Sequence, residues 1–342
     1  MKEKTLKFIL VFIDLAFLFF FVWYFLSTFT HGRFAWVSVV NMFAFQFFLV
    51  LLLPALFGFF LKIRRHQVAA SIAFGLFLFM YGRFFIPKGG GISDSNDHLK
   101  VMTYNMLVYT PETGAVGNVI REEAADIVFM QETSFGMSEY LENEMKDLYP
   151  YQLHFPSDVP VGMSLISKHP FALIYSELGG AGGGTPILLD VNWNGQTVHV
   201  LNFHMPPTAF WAMMDMQRVK KLSESRTHHA QRIDRFLVEH SGPAIVAGDV
   251  NDVFLNDAYA TLINSGLQDA WLEGGLGLGH TFPGNESPGT SRPQIAGIFF
   301  PEWMVRIDYI FVSSDWEVLS TYLAETDGYS DHRGVVSILR LK

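Results

Sequence analysis

The sequence IVAGDVND at residues 245–252 decides the fold of the second part of the chain. Its apolar run at residues 244–247 follows the breaker pair Gly242-Pro243, a pattern that predicts a short buried strand. Asp249 and Asn251 are two residues apart, so their side chains share one face of an extended backbone. A carboxylate beside a carboxamide suits a charged ligand. On this octet alone, a turn formed by Asp and Asn is the alternative.

Charge and phenylalanine divide the 342-residue chain into two parts. Residues 1–92 hold nine Lys and Arg against two acids, together with 21 of the 33 Phe. Residues 93–342 hold 15 bases and 31 acids, a net charge of −16. Because binding nucleic acid by charge needs a basic face, this acidic part argues against a nucleic-acid-binding protein. Cysteine is absent, which excludes a disulfide framework and thiol chemistry.

Three apolar segments in the first part predict a membrane anchor over residues 1–86. They cover residues 8–29, 34–61 and 68–86. Each is long enough, as a helix, to cross a bilayer. Pro54 and Gly58 predict a kink in the second segment. A cleaved signal peptide is the alternative for the first segment, but its apolar run is too long and two more segments follow.

Basic residues around these segments predict the orientation of an integral membrane protein. They cluster at residues 2–7, before the first segment, and at residues 62–65, between the second and the third. Both clusters are therefore expected on the cytoplasmic side of the cell (inner) membrane, which places the rest of the chain outside the cytoplasm. Arg83 and Lys88 do not fit this rule.

Three polar residues, Asp14, Asn41 and Gln46, lie within the apolar segments. Such residues either mark a functional intramembrane site or have a structural role. Asp14 lies near the membrane entry, where its side chain can reach the surface, and we favour the structural interpretation.

Residues 87–98 (PKGGGISDSNDH) predict a linker from their Gly, Ser and Asp content. From residue 99 to residue 342, strand-like and helix-like stretches alternate, which predicts one α/β domain. The predicted strands cover residues 101–107, 127–130, 164–167, 187–192, 198–203, 244–247, 305–312 and 334–339. The predicted helices cover residues 116–125, 138–148 and 216–240.

Polar residues stand at or within these strands, where packing alone favours apolar ones. They are Asn105, Glu132, His204, Asp249, Asn251, Asp308, Asp331 and His332. Each one alone is explained equally well as a structural residue, but so many in one domain indicate a shared site.

Hydrolysis of a phosphate ester is the chemistry that this set suits. That reaction needs a divalent cation on the phosphoryl oxygens, a base for water and donors for the developing charge. Glu132 with Asn105 suits Mg²⁺, which takes one or two carboxylates and water, and Mn²⁺ is the second candidate. Zinc is disfavoured because the chain has no Cys and no His-x-x-x-His pattern.

The remaining residues suit the other roles of this reaction. Asp308 is expected to hold His332 in one tautomer. Asp249 is expected to position or deprotonate water, while Asn251 and His204 donate to phosphate oxygens. A serine nucleophile is disfavoured because no Gly-x-Ser-x-Gly motif occurs.

As a set, these segments resemble the endonuclease/exonuclease/phosphatase superfamily, the DNase I-like fold. The matching segments are TYN (103–105), QE (131–132), GMSLISKHP (162–170), NFH (202–204), GDVN (248–251), RIDY (306–309) and SDH (330–332). They occur in the family's order and cover essentially all of residues 99–342. The resemblance implies a two-sheet α/β sandwich with helices outside, one or two Mg²⁺ ions and direct attack of water on phosphorus.

The resemblance also implies a role for each position. It assigns Asn105, Glu132 and Asp331 to the metal, and His204, Asp249, Asn251, Asp308 and His332 to catalysis. Val250 departs from the Phe that the family usually has, at a position behind the site. A carboxylate often pairs with the histidine of the NFH segment, and here the choice between Asp158 and Glu177 stays open.

The fold does not fix the substrate, but three features bear on it. The anchor keeps the domain near a bilayer, and the net charge of −16 repels a polyanion. The segment MPPTAFWAMMDM (205–216) follows His204 and places Phe210, Trp211, Met213 and Met214 where they would form an apolar lip. Alternatively, these residues begin the long helix and pack inward.

We therefore predict a membrane-anchored, metal-dependent phosphatase or phosphodiesterase whose catalytic domain lies outside the cytoplasm. Its expected substrate is a lipid-linked or membrane-proximal phosphate, such as a phospholipid, a sphingolipid or a polyprenyl phosphate. A tethered extracytoplasmic nuclease is the first alternative, and a catalytically silent binding module is the second.

Overall fold

The N-terminal part of the computed structural model is helical. The model describes residues 3–88, 97–110, 112–175, 183–184, 186–284, 292, 294–295 and 297–342. Most of the predicted linker at residues 87–98 and the candidate Glu177 lie outside the described residues. The first helices are α1 (Glu3–Thr30), α2 (Ala35–Met42), α3 (Ala44–Phe60) and α4 (Arg64–Tyr81), and a 3-10 turn at Gly82–Phe85 follows.

Two of these helical stretches, Lys4–Thr30 and Arg64–Phe85, are long and apolar enough to cross a membrane. The predicted second span is broken into α2 and α3, which meet at 79°. The described part of the chain therefore has two candidate spans, or three if the bent pair counts as one.

The bend lies elsewhere than the kink that the sequence predicts. Pro54 and Gly58 both lie within α3, which continues through them. The chain bends instead at Phe43, whose φ of −114° and ψ of 21° depart from helical values. Asn41 and Gln46 flank this bend, and both bond to residues outside their own helices.

A buried polar network, the docking cluster, joins the helices to the α/β domain. Its members are Trp23, Ser27, Ser38, Asn41, Arg226, Asp252 and Asn256. Asn41 accepts from Trp23 Nε1 and Ser27 Oγ, both at 2.9 Å, and donates to Asn256 Oδ1 at 2.7 Å. Asn256 donates to Ser38 Oγ and to Asp252. The helices are thereby held in a defined position on the domain.

The loop before α2 also lies against the domain. Gly32 has a φ of +73°, and a Cβ there would overlap the side chain of Asn256, so both conformation and space favour glycine. In the N-terminal half of α1, Asp14 accepts a hydrogen bond from Arg65 at 2.9 Å and lies 2.7 Å from His66 Nε2. Asp14 therefore links α1 to the start of α4, a structural role.

The α/β domain contains short strands and amphipathic helices. In chain order the strands are β1 (Leu99–Asn105), β2 (Ile127–Gln131), β3 (Tyr151–Phe155), β4 (Met163–Ser167), β5 (Phe171–Tyr175), β6 (Ile187–Trp193), β7 (Gln196–His204), β8 (Ala244–Asp249), β9 (Gln268–Asp269), β10 (Gln294–Ile295), β11 (Ile298–Phe299), β12 (Asp308–Val312), β13 (Trp316–Leu323) and β14 (Val335–Leu341). The helices are α5 (Thr113–Glu123), α6 (Phe135–Glu144), α7 (Met216–Glu239), α8 (Asp257–Asn264) and α9 (Ala270–Gly274), with a 3-10 turn at Phe210–Met214.

Two mixed sheets form the predicted sandwich. Among the described residues, the first has the order β13-β14-β1-β2-β4-β3 and the second the order β5-β6-β7-β8-β12-β9, with β10 and β11 as a separate hairpin. Val101 and Phe129 of the first sheet share one core with Ile245 and Ile310 of the second. Helices α5 and α6 cover the outer face of the first sheet, and α7 and α8 cover that of the second. The predicted fold class is confirmed.

Candidate active site

Strand ends bring polar side chains from both sheets to one end of the sandwich. Asn105 ends β1, His204 ends β7 and Asp249 ends β8. Glu132 follows β2 directly, and β1 and β2 run parallel, as do β7 and β8. Asp308 opens β12, which pairs antiparallel with β8, so Asp308 lies opposite Asp249.

The loop before β14 adds Asp331 and His332 to this end. Ser330 Oγ donates to the carbonyl oxygen of Asn105 at 2.7 Å and accepts from the backbone N–H of His332 at 3.1 Å. The loop is therefore fixed to β1. The structure brings together all eight residues that the sequence singles out, and their individual roles stay predictions.

Asn105 links carboxylates of the two sheets. Its Nδ2 donates to Glu132 Oε1 at 3.1 Å and to Asp249 Oδ2 at 3.2 Å. Its Oδ1 accepts from the backbone N–H of Leu107 at 3.1 Å. In this arrangement the side-chain amide of Asn105 donates to two carboxylates, and its side-chain oxygen accepts from a backbone N–H.

Backbone conformation at the site is unusual. Glu132 and Asn251 have φ values of 59° and 52°, in the left-handed region that residues other than glycine seldom adopt. Each such residue costs on the order of 1–3 kcal/mol and often marks a functional position. Gly248 has a φ of 154°, and a Cβ there would overlap the carbonyl oxygen of Phe203. The glycine of the GDVN segment therefore lets β8 approach β7 closely.

His332 carries the positive charge of the site. Its Nδ1 donates to Asp308 Oδ2 at 2.8 Å, and its Nε2 lies 3.9 Å from Asp249 and 4.0 Å from Asp331. Burial opposes the charged ring, but Asp308, Asp249 and Asp331 outweigh burial and raise the pKa of His332 to about 10. The predicted pairing of Asp308 with His332 is present.

Among the described residues of the site, the acidic groups outnumber the one positive charge of His332. Burial, and then repulsion from Asp331, raise the pKa of Glu132. Burial, and then repulsion from Asp308, raise the pKa of Asp249 well above its usual value. Both carboxyls therefore lie in an environment that disfavours their charged form unless a cation is bound nearby.

This donor set fits a hard divalent cation. Ligand atoms of Asp249, Asp308 and His332 lie within 4.8 Å of one another. Because the His332 ring is protonated and donates to Asp308, the carboxylate oxygens are the better ligands, and oxygen ligands suit Mg²⁺ or Mn²⁺. Among the described residues, Asp308 Oδ1 is buried without a hydrogen-bond partner, as expected of an atom that faces a cation or its water.

His204 and Asn251 form a second pair. Asn251 Nδ2 lies 3.1 Å from His204 Nε2 and donates to Met205 O at 2.9 Å. Burial, and then the charge on His332, lower the pKa of His204 to about 4, so its ring is neutral. Within the described part of the chain, Nδ1 of His204 has no hydrogen-bond partner, so Asp158 does not bond to it.

A cavity of about 460 Å³ opens beside these residues. Its polar end contains Glu132, Asp249, Asn251, Asp331 and His332. Its other walls are mostly apolar and include Met42, Phe43, Leu107, Phe210, Met213, Phe282, Phe300 and Met304. Among the described residues that line it there is no Lys or Arg.

The predicted apolar lip is a separate 3-10 turn and does not begin the long helix. Helix α7 begins at Met216, where the side chain of Asp215 accepts from the backbone N–H groups of Gln217 and Arg218. Phe210 and Met213 line the cavity, whereas Met214 is 87% exposed. The side chain of Trp211 lies outside what the structure describes.

Three features of this region are absent from the sequence prediction. Met42 and Phe43, from the predicted membrane segment, form part of the cavity wall. Arg226 bonds to Asp252, next to Asn251, at 3.1 Å, and Arg306 of the RIDY segment makes two bonds to Asp269. A charged residue on a long helix such as Arg226 gives no local signal that its partner lies beside the site.

The family model described as the Endonuclease/Exonuclease/phosphatase family matches residues 102–332. The chain belongs to this family. Members of the family are generally hydrolases of phosphoester bonds that depend on a divalent metal. The crowded carboxylates form a candidate metal site that agrees with this assignment.

Solved structures of the same fold include two bacterial endonuclease/exonuclease/phosphatase proteins. The one from Beutenbergia cavernae is 21% identical with a TM-score of 0.51, and 72% of each chain is covered. The one from Bacteroides vulgatus is 20% identical with a TM-score of 0.52, covering 72% of this chain and 99% of its own.

A third similar structure is D. rerio TDP2 in complex with a single-strand DNA product. It is 16% identical with a TM-score of 0.54, covering 72% of this chain and all of its own. None of the curated proteins matches the chain in sequence. These likenesses establish the fold and leave the substrate to the chemistry of the cavity.

Proposed function

We propose that the chain is a membrane-anchored, Mg²⁺-dependent phosphoesterase that hydrolyses a lipid-linked phosphate by direct attack of water, with Mn²⁺ as the alternative metal. The observation that carries this proposal is the cavity, in which a carboxylate cluster continues into walls that are mostly apolar. A phosphate joined to a hydrocarbon has the same division between a charged and an apolar part.

The residues of the polar end suit distinct steps. Glu132 and Asp331 are proposed to hold the divalent ion, which would polarise the phosphoryl oxygens when bound. Asn105, which the sequence assigns to the metal, would hold the Glu132 carboxylate in place through its Nδ2. Asp249 is buried, and its raised pKa makes its carboxylate a stronger base for a proton of the attacking water.

The donors of the site suit the charge that develops on the phosphate. His332 is held by Asp308 and is charged, so its Nε2–H stabilises a phosphoryl oxygen as negative charge grows. Asn251 Nδ2 lies 3.1 Å from Asp249 Oδ2 and 3.1 Å from His204 Nε2, and Asn251 and His204 are proposed as further donors to the phosphate. A catalytically silent module has no evident use for so many poorly compensated buried carboxylates.

A nuclease is the alternative within this family, and TDP2 is a structural neighbour with bound DNA product. Lys and Arg side chains bind the phosphates of a polynucleotide, yet none occurs among the described residues that line the cavity. The net charge of −16 over residues 93–342 also disfavours binding of a polynucleotide, because like charges repel. Both observations favour a lipid-linked substrate.

We further propose an anchor at residues 1–86, a linker at 87–98 and a catalytic domain at 99–342 that lies outside the cytoplasm. The loop at residues 31–33 lies beside Asn256 and Asp257, whereas the basic loop at residues 62–65 lies beside Asp14, in the N-terminal half of α1. Since basic loops stay cytoplasmic, this arrangement supports an extracytoplasmic domain in the inner membrane. A reporter fused after Lys342 should be active only outside the cytoplasm, and activity inside would overturn this topology.

The experiment that tests the function is hydrolysis by the purified full chain in detergent, with Mg²⁺ and with a chelator. Inorganic phosphate, phosphorylated headgroups and nucleotides are each separated from the substrate and measured. Polyprenyl pyrophosphate, sphingomyelin, phosphatidylinositol and DNA are compared at equal phosphate concentration. We expect Mg²⁺-dependent hydrolysis of at least one lipid and weaker hydrolysis of DNA. Hydrolysis of DNA alone would replace the proposal with the nuclease.

A further inference from the structure

We propose that the bend between α2 and α3 forms the subsite for the hydrocarbon chain of the substrate, so that the anchor supplies part of the substrate pocket. This inference rests on the proposed function and deepens it. Met42 and Phe43 stand at the bend, are partly buried, and line the same cavity as Glu132, Asp249 and His332.

Polar side chains fix these two residues against the domain. On one side of them, Asn41 Nδ2 donates to Asn256 Oδ1 at 2.7 Å and to Leu255 O at 3.2 Å. On the other side, Gln46 Nε2 donates to Met304 O at 2.7 Å. An amide in an apolar segment is costly unless its hydrogen bonds are made. These bonds therefore hold the bend as a fixed wall of the pocket.

The facing wall has the properties of a site for a hydrocarbon. Phe210 and Phe300 stand with ring centroids 4.9 Å apart, and Met213 lies beside them in the same lining. Together with Met42 and Met304, the cavity has three methionines, whose unbranched side chains adapt to chains of different shape. Its volume of about 460 Å³ is within the range of ligand pockets.

The bend also continues directly into a helix with an apolar surface. Helix α3 begins at Ala44 and exposes Leu49, Val50 and Leu53, a surface that suits lipid and not water. The hydrocarbon chain of a bilayer lipid that lies along α3 would thus approach the cavity at Met42 and Phe43. This arrangement favours a bilayer lipid as the source of the substrate.

The kinetic test uses p-nitrophenyl phosphodiesters whose second ester is methyl, octyl or hexadecyl, with the full chain in lipid nanodiscs. Each buried methylene contributes about a fourfold gain in binding, so activity should rise with chain length in the native protein. Met42→Ser with Phe43→Ser should lower kcat/KM on the hexadecyl ester about tenfold to a hundredfold and change it less than about twofold on the methyl ester.

Matched variants separate the subsite from general effects on the anchor. Phe60→Ser changes a phenylalanine at the far end of α3 that is 80% exposed, and it should leave the chain-length dependence unchanged. Phe43→Leu keeps an apolar side chain at the bend, so this variant should retain most of the preference for the hexadecyl ester that the double serine variant loses. Equal loss on the methyl and hexadecyl esters would make the bend a structural element only, and no loss on either would remove it from the site.

A second measurement does not depend on turnover. Hexadecyl phosphate with a photoactivatable group in the half of its chain nearer the phosphate is added to the Glu132→Gln variant, and the labelled peptides are identified. We expect label at residues 42–43 that excess hexadecyl phosphate displaces, and label near Phe60 that it does not displace. If the native protein shows no preference for long chains, the proposed lipid substrate fails. If that preference exists but residues 42–43 take no displaceable label, only the subsite fails.

Discussion

Two buried polar clusters have members close to Asn251 in the sequence: the active-site cluster contains Asp249, and the docking cluster contains Asp252. The two clusters differ in how their charges are balanced. In the active-site cluster, Glu132, Asp249, Asp308 and Asp331 surround the single charge of His332. The docking cluster contains one carboxylate, Asp252, which is matched by Arg226.

The difference shows what each cluster is for. In the docking cluster, both carboxylate oxygens of Asp252 and the amide of Asn41 have partners, so the cluster stabilises the fold without needing a ligand. In the active-site cluster, Asp308 Oδ1 has no partner among the described residues, and the pKa values of Glu132 and Asp249 are raised. The negative charge of that cluster is therefore not balanced until a cation binds.

The largest expected effect is on activity. Glu132→Gln removes a proposed metal-binding carboxylate and should lower kcat/KM on a soluble phosphodiester by about a thousandfold or more. Thermal unfolding of the apoprotein should change little, because one of several repelling charges is removed. Glu142→Gln, at an exposed position of α6, is the control and should keep full activity. Full turnover by the Glu132 variant would remove Glu132 from the site.

The next effect is on stability, in the docking cluster. Arg226→Met leaves the fully buried Asp252 without its ion pair and should lower the free energy of unfolding by about 3–5 kcal/mol. Denaturant unfolding in detergent measures this loss. Lys220→Met, on the same helix at a side chain that is 64% exposed, should cost little. Equal losses in the two variants would show that Arg226 is no more important than a surface charge.

Metal should stabilise one cluster and leave the other unaffected. Mg²⁺ at a hundredfold excess over its Kd should raise the free energy of unfolding by about 2.7 kcal/mol, and a chelator should reverse this gain. Asp331→Asn should reduce the gain, since it removes a proposed metal-binding carboxylate. Lys220→Met should show the native gain. A metal-induced gain that Asp331→Asn leaves intact would place the metal elsewhere.

The smallest effect is expected at the contact between the helices and the domain. Asn41→Leu removes the hydrogen-bond partner of Trp23 Nε1 and that of Asn256 Oδ1, and it should cost about 1–3 kcal/mol of unfolding free energy. Asn118→Leu, at an exposed position of α5, is the matched control. Unchanged stability in the Asn41 variant would indicate that the docking cluster adds nothing to the attachment of the helices.

Strand prediction succeeded in the sheet interiors and failed at the edges. The run at residues 127–130 coincides with β2 and the run at 244–247 with β8, because every residue of these strands is buried and apolarity marks them. The sequence prediction missed β3, β5, β9 and β13, which are edge strands, and the hairpin strands β10 and β11. Strands β3 and β13 are partly exposed and lack a continuous apolar run, so apolarity does not mark them.

Sequence pattern predicts an α/β domain with a polar site, and the motifs in family order predict the two-sheet fold and the family. The functional residues end, open or lie within a few residues of strands, so local pattern and spacing place them near strand ends. Their motif order adds the family, and the structure brings all eight residues together.

Only the tertiary structure decided the location of the membrane-segment bend and which residues line the apolar part of the cavity. Phe43 is more than 200 positions from Asp249, and the bend is fixed by bonds from Asn41 and Gln46 to the distant residues Asn256 and Met304. A hydropathy pattern reports how apolar a segment is, but it contains no information on the distant partners that bend it. For the same reason the pairing of Arg226 with Asp252 became visible only in the folded chain.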